Sequence, residues 1–175
     1  MFRQDSEATA DSPIGIARRD IEEAMWRHAV DAWFPRCIDR QYGGFICDFD
    51  RQWRPGGNQV KSLEFQARQT WFAAAALETA PDHPDLRESA LHGLRYLEGP
   101  MWDSRDGGWF HRLDRGGVPQ ELGSKHTHGA AYAIAAASAV ARALDDQSAL
   151  ALAQAGEFEG AWRELVRNNP LPSIH

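Results

Sequence analysis

An all-α fold in which inner and outer helices alternate, as in an α/α toroid, is the class this sequence predicts, and three observations predict it. Long stretches carry apolar residues at three- and four-residue steps, the mark of helices with a buried face. The segments between them are short and led by glycine. The pattern then returns at a constant offset: Gly43-Gly44-Phe45 recurs as Gly107-Gly108-Trp109, Asp50-Arg51 as Asp114-Arg115, Pro55 as Pro119 and Lys61 as Lys125, each sixty-four residues on. Gap-free self-similarity of this kind marks a repeated supersecondary unit whose copies bury one another's apolar faces. Here the unit is helix, hairpin, apolar helix.

Taken in order, residues 1–15 are polar and acidic and read as a disordered lead-in. The toroid domain is expected over 16–168, with 169–175 as a tail. A first amphipathic helix, about Ile16 to Ile38, places Ile21, Met25, Val30, Trp33, Phe34 and Cys37 on its apolar side, and Pro35 falls near its end. Tyr42 to Asp50 has two glycines and then alternation of Phe45, Cys47 and Phe49, which predicts a short strand entering a hairpin. Arg54 to Gly57 is the turn that follows.

The helix from Lys61 to Thr79 is the most apolar, with Leu63, Ala67, Trp71 and Ala74 on one stripe and Phe65, Phe72 and Ala76 widening it. It carries one arginine. Arg68 follows Glu64 by four residues, the spacing of a helical ion pair. Flanked by Phe65, Trp71 and Phe72, it could equally aim its rigid fork of donors into a cavity. A third helix runs from about Pro84 to Met101, a fourth, rich in alanine, from Ser124 to Leu144, and a fifth from Ala149 to Val166. Five helices do not close a ring. A third glycine pair, due near residue 171, does not occur in the closing Asn168-Asn169-Pro170-Leu171-Pro172-Ser173-Ile174-His175. The expectation is an N-terminal fragment, or a truncated or frameshifted product, with the edge of an inner helix uncovered.

Composition narrows the function classes. With 43% hydrophobic residues and seven tryptophans the 175-residue chain has material for a core, while a net charge of -6 argues against nucleic acid or an anionic membrane as partner. No run approaches a membrane span. Without the apolar core of a secretion signal, the start of the chain points to the cytoplasm. There Cys37 and Cys47 are expected as packing residues rather than a disulfide or metal pair.

The run SLEFQARQTWFAAAALE, preceded by GGFICDFDRQWRP and followed by DGGWFHRLDRGGVP and KHTHGAAYAI, resembles the N-terminal part of the N-acylglucosamine 2-epimerase family over about residues 20 to 150. That family also contains mannose isomerases and cellobiose 2-epimerases. The resemblance implies an (α/α)6 barrel with the inner helices walling a sugar pocket, and an epimerase or isomerase that needs no metal or redox cofactor. It implies that Arg68 holds sugar oxygens. Lys125 matches the family's Lys-x-x-Tyr lysine, and His128 stands where that motif has tyrosine. The family's two catalytic histidines lie beyond the length of this chain, so no catalytic residue is assigned and the isolated chain is expected to turn over little.

The candidate substrate-binding residues are therefore Arg68, His128 and Trp71. Trp71 is expected either in the core or as an apolar wall of a sugar pocket. The offset pairs Glu64 with His128 and Arg68 with Tyr132, which would bring Arg68 and His128 to one cavity. His126 and His128, two apart on a helix, would point away from each other, so no metal site is assigned. His111, in a hairpin, is expected to face water rather than lie at the mouth of the pocket, loops being mostly surface. The non-enzymatic alternative is a carbohydrate-binding or assembly module, a possible homo-oligomer closed through the exposed helix edge. Glycoside hydrolysis would need two facing carboxylates, and Glu64 with the hairpin aspartates makes no such pair.

Overall fold

In a computed structural model that describes residues 12–120 and 125–156, the chain divides into two units, Met1–Arg36 and Cys37–His175. In the first unit, helix α1 spans Pro13–Ala24 and is followed by a π-helical turn, Met25–Val30. Ser12 caps α1, its hydroxyl accepting from the Gly15 N–H at 3.1 Å, and Pro13 supplies the fixed φ of a first helical residue. The α-helix is therefore shorter than the expected Ile16 to Ile38, and it begins inside the expected lead-in. Its apolar side also departs from expectation. Ile21 and Met25 are 69% and 42% exposed, and only Val30, Phe34 and Cys37 of the expected stripe are buried.

The second unit holds the repeat. Strand β1 (Lys61–Ser62) leads into helix α2 (Leu63–Leu77); α3 spans Pro84–Glu98, strand β2 Arg112–Leu113, α4 Thr127–Leu144 and α5 Gln147–Ala155. Ser62 caps α2 by accepting from the Phe65 N–H. Pro84 opens α3, and Gly99 follows its end. Asp145, in the left-handed region at φ 52°, terminates α4, and Asp146 caps α5 by accepting from the Ala149 N–H at 3.0 Å. The expected fifth helix ends at Ala155; its remaining residues, and those near 171, lie outside the described residues.

Helix α2 packs most extensively on α4 and then on α3, while α5 packs on α4. The core is built from Leu63, Ala67, Ala73, Ala74 and Leu77 of α2, Leu86, Ala90, Leu94 and Leu97 of α3, and Ala133, Ala136, Ala137 and Val140 of α4. Small residues let these helices approach closely. A Cβ on Gly93 would come within 2.1 Å of the Thr70 hydroxyl and 2.8 Å of the Phe45 ring, so α3 needs glycine there.

The two hairpins repeat almost bond for bond. In the first, the Asp39 N–H donates to Gly44 O at 2.9 Å, Gly43 N–H to Asp39 O at 2.8 Å and Ile46 N–H to Cys37 O at 2.7 Å. In the second, Asp103 N–H donates to Gly108 O at 2.8 Å, Gly107 N–H to Asp103 O at 2.9 Å and Phe110 N–H to Met101 O at 2.8 Å. All four glycines of the two pairs have φ between 63° and 78°, which is why each turn needs two of them. The hairpins are held by single bridges such as Ile38 with Phe45 and Trp102 with Trp109, rather than by the short strand expected after Tyr42. Among the described residues one sheet forms, joining β1 and β2 antiparallel and pairing Lys61 with Leu113 and Ser62 with Arg112. It ties the second hairpin to the start of α2.

Candidate functional site

Helices α2 and α4 each turn one face away from the core. On α2 that face carries Glu64, Arg68 and Trp71, at helical steps of four and three. On α4 the equivalent positions are His128, Tyr132 and Ala135. Burial of the opposite faces fixes this orientation, since Leu63, Ala67 and Ala74 of α2 and Ala133, Ala137 and Val140 of α4 are each fully buried.

The Tyr132 ring links the two helices. The Arg68 guanidinium carbon lies 5.9 Å from the ring centroid, within cation–π range. The His128 imidazole meets the same ring edge-on, with centroids 4.9 Å apart. Arg68 and His128 are both exposed. Trp71, 46% exposed, lies outside the core. Its place on the apolar stripe suggested burial, but seven residues from Glu64 it falls on the open face.

Of the two readings of Arg68, the helical ion pair with Glu64 does not form. Glu64 Oε1 lies 3.4 Å from His111 Nδ1. His111 is 8% exposed, which corrects the expectation that it faces water. The cause is the β1–β2 pairing: the His111 carbonyl accepts from the Leu63 N–H at 2.9 Å, drawing the hairpin arm onto the first turn of α2. The His126 ring stacks on His111, with centroids 3.5 Å apart and planes 16° from parallel. His126 is the residue before α4, not part of it. The two-residue helical spacing that separated it from His128 therefore does not describe it. Gly129 keeps this corner tight, because a Cβ there would come within 2.8 Å of Leu63 and 3.1 Å of Glu64 Oε1.

Beneath this face each apolar helix is preceded by an ion pair to its hairpin. Lys61 Nζ donates to Asp39 Oδ2 at 2.9 Å, Gly43 O at 2.9 Å and Phe45 O at 3.2 Å, so all three ammonium donors are used. Lys125 Nζ donates to Asp103 Oδ2 at 2.6 Å. Burial alone would raise both carboxyls. The Lys61 ammonium and the Tyr42 N–H hold Asp39 below its usual range, with the charge of Arg115 adding to the effect. The Lys125 ammonium and the N–H groups of Asp106 and Arg105 do the same for Asp103. Burial pulls Lys61 down, opposed by Asp39. Lys61 and Lys125 are repeat partners in the sequence, and Asp39 and Asp103 stand sixty-four apart as well. A repeat counted from the glycine pairs onward leaves these aspartates out.

Residues 43–165 match the N-acylglucosamine 2-epimerase (GlcNAc 2-epimerase) family. The chain is 28% identical over 134 residues to a cellobiose 2-epimerase of Ruminococcus albus, covering 77% of this chain and 34% of that protein. It is 26% identical over 135 residues to the cellobiose 2-epimerase of Bacteroides fragilis, again covering 77% and 34%. Among solved structures, a sugar epimerase from a ruminal bacterium superposes with a TM-score of 0.72 at 26% identity, over 86% of this chain and 36% of the other. A D-mannose isomerase gives 0.65 at 25% identity over 86% and 36%. The cellobiose 2-epimerase of Spirochaeta thermophila gives 0.76 over 91% and 37%, and at 24% identity it speaks to fold alone. These neighbours are (α/α)6 barrels, of which the described helices of this chain are an incomplete set. The chain spans about a third of the length of the curated relatives it matches.

Proposed function

The chain belongs to the N-acylglucosamine 2-epimerase family, a family of sugar epimerases and isomerases, and on that premise we propose that the open face of α2 and α4 is part of a sugar-binding wall. Arg68, His128 and Trp71 contact the sugar. The observation that carries this reading is the shared Tyr132 ring, which brings an arginine from one inner helix and a histidine from the next to the same exposed spot.

The chemistry asked of such a wall is specific. Epimerising or isomerising an aldose removes the weakly acidic proton on the carbon beside the carbonyl, forms an enediolate, and returns the proton to the other face or to the neighbouring carbon. A guanidinium placed against the sugar oxygens stabilises the negative charge that develops there. It is a binding and electrostatic role. The resemblance supplies no proton-transferring pair among these residues, so we expect the isolated chain to exchange little.

Incubation with mannose, glucose, N-acetylmannosamine or cellobiose in deuterated water, following loss of the C2 proton, tests the catalytic half. Exchange well above a heat-treated control overturns the expectation of inactivity. Saturation-transfer NMR with the same sugars tests binding: sugar signals that vanish in Arg68→Ala support the wall, and signals that persist unchanged in that variant sink the assignment. The assembly reading has one observation in its favour, the exposed Ile14, Ile16, Ile21 and Met25 of the first unit. A discrete oligomer in size-exclusion chromatography would favour it.

A further inference from the structure

We propose that Glu64, His111 and His126 form a binding site for a divalent transition-metal ion, zinc being the best match to two imidazoles and one carboxylate. One ligand atom from each residue can be chosen so that all three lie within 4.8 Å of one another. Around a tetrahedral zinc with bonds of about 2.0–2.1 Å, donors sit roughly 3.3 Å apart. Glu64 Oε1 and His111 Nδ1, at 3.4 Å, already have that separation.

A second observation points to a cation independently of the clustering. His111 Nδ1 is buried and has no hydrogen-bond partner among the described residues. Glu64 Oε1 lies 3.4 Å away without forming a hydrogen bond to it. Protonated, Nδ1 needs an acceptor; unprotonated, it offers a lone pair that no donor among the described residues meets and that a metal ion can take. His126 supplies what a proton alone does not require, a second imidazole placed against the first.

The stacked rings set a condition on binding. A ligating imidazole holds its metal in the ring plane, and two nearly parallel planes 3.5 Å apart cannot both contain one ion. His126 must turn out of the stack. It is free to do so, being exposed and making no side-chain capping bond to α4. His111 and Glu64 stay in place, His111 held by its carbonyl, which accepts from the Leu63 N–H at 2.9 Å, and Glu64 on the first turn of α2. This site stands whether or not a sugar binds beside it.

The test uses the full chain titrated with cobalt(II), whose visible absorption reports coordination, and with zinc in calorimetry. One saturable ion per chain is expected. His111→Gln, Glu64→Gln and His126→Gln should each weaken affinity by more than the roughly 10–100-fold typical of losing an outer-sphere partner, while His28→Gln, at an exposed position in the first unit, leaves it unchanged. Absence of saturable binding overturns the proposal. So does binding that survives in His111→Gln, because His126 and His128 would then be acting as a surface pair. Circular dichroism shows whether each variant folds; if His111→Gln does not, Glu64→Gln and His126→Gln, at positions that reach solvent, decide the outcome by the same criterion.

Discussion

The two hairpins share a backbone and differ in what holds them. The first is clamped from two sides. Lys61 ties its turn through Asp39 and two carbonyls, and Gln66 grips Phe45 at both ends of the residue, accepting from its N–H at 2.6 Å and donating to its carbonyl at 3.0 Å. The second has Lys125 on Asp103 and over the Phe110 ring at 4.5 Å, and where the first has Gln66 it has Ala130. Trp109 anchors it instead, its indole N–H donating to Leu97 O at 3.0 Å. Where the first hairpin places Cys47, the second places His111 against Glu64. The first copy is a structural clip, and the second carries ionisable groups to the open face.

The largest expected consequence is in the ion pairs. Lys61 and Asp39 are 0% and 2% exposed, whereas Lys125 and Asp103 are 11% and 10% exposed. Removing one partner of a fully buried pair strands the other, at a cost of about 3–5 kcal/mol. Asp39→Asn should lose that much in chemical denaturation. Asp103→Asn should lose about 1–3 kcal/mol, as for one charged hydrogen bond with water close by. Equal losses would break the distinction between clip and site.

Gln66→Ala comes next. It makes the first copy resemble the second at that position and leaves the Phe45 N–H buried without its acceptor, a cost of about 1–3 kcal/mol. The Phe45 carbonyl keeps Lys61. A loss below about 0.5 kcal/mol, the usual scale of surface changes, would mean that the clamp adds nothing to the lysine.

Acid titration sharpens the same contrast. Both aspartates titrate below their ordinary range in the fold. Their contribution is complete above the unfolded value of about 3.9 and is lost as pH falls through the folded values. Stability followed from pH 7 downwards should therefore hold to about pH 4 and then fall, and in Asp39→Asn the fall should be shallower. An unchanged slope in that variant would assign the acid sensitivity elsewhere.

How much of this was legible follows from the range of the interactions. The helices, their order and the gap-free repeat could be read from local periodicity, and the offset placed Arg68 opposite Tyr132 and Glu64 opposite His128. His111 could not be read that way. Its burial comes from pairing Lys61 with Leu113, residues far apart in sequence, and nothing in Trp109-Phe110-His111 signals which arm lands on α2. The available signal was the repeat itself. Lys61 and Lys125 invited a search for acids at the same offset, and Asp39 and Asp103 were there. A stripe counted from Leu63 passes through Trp71, which is why local periodicity leaves core and pocket wall both open for it; the helix buries Thr70 and Ala73 on either side.

The smallest effect expected on stability is at Trp71 itself. A half-exposed ring on the open face contributes little to packing, so Trp71→Ala should change unfolding free energy by no more than about 1 kcal/mol, against about 3–5 for a core aromatic. If the face binds sugar, the same variant should weaken saturation-transfer signals while leaving the melting temperature nearly in place. That split separates a ligand wall from a core residue. Ala135, its repeat partner on α4, offers the reciprocal experiment, since Ala135→Trp adds an aromatic surface at an exposed position without touching the buried stripe. Stronger sugar signals there, with unchanged stability, would show that the two helices present one continuous surface. No gain would confine the binding surface to α2.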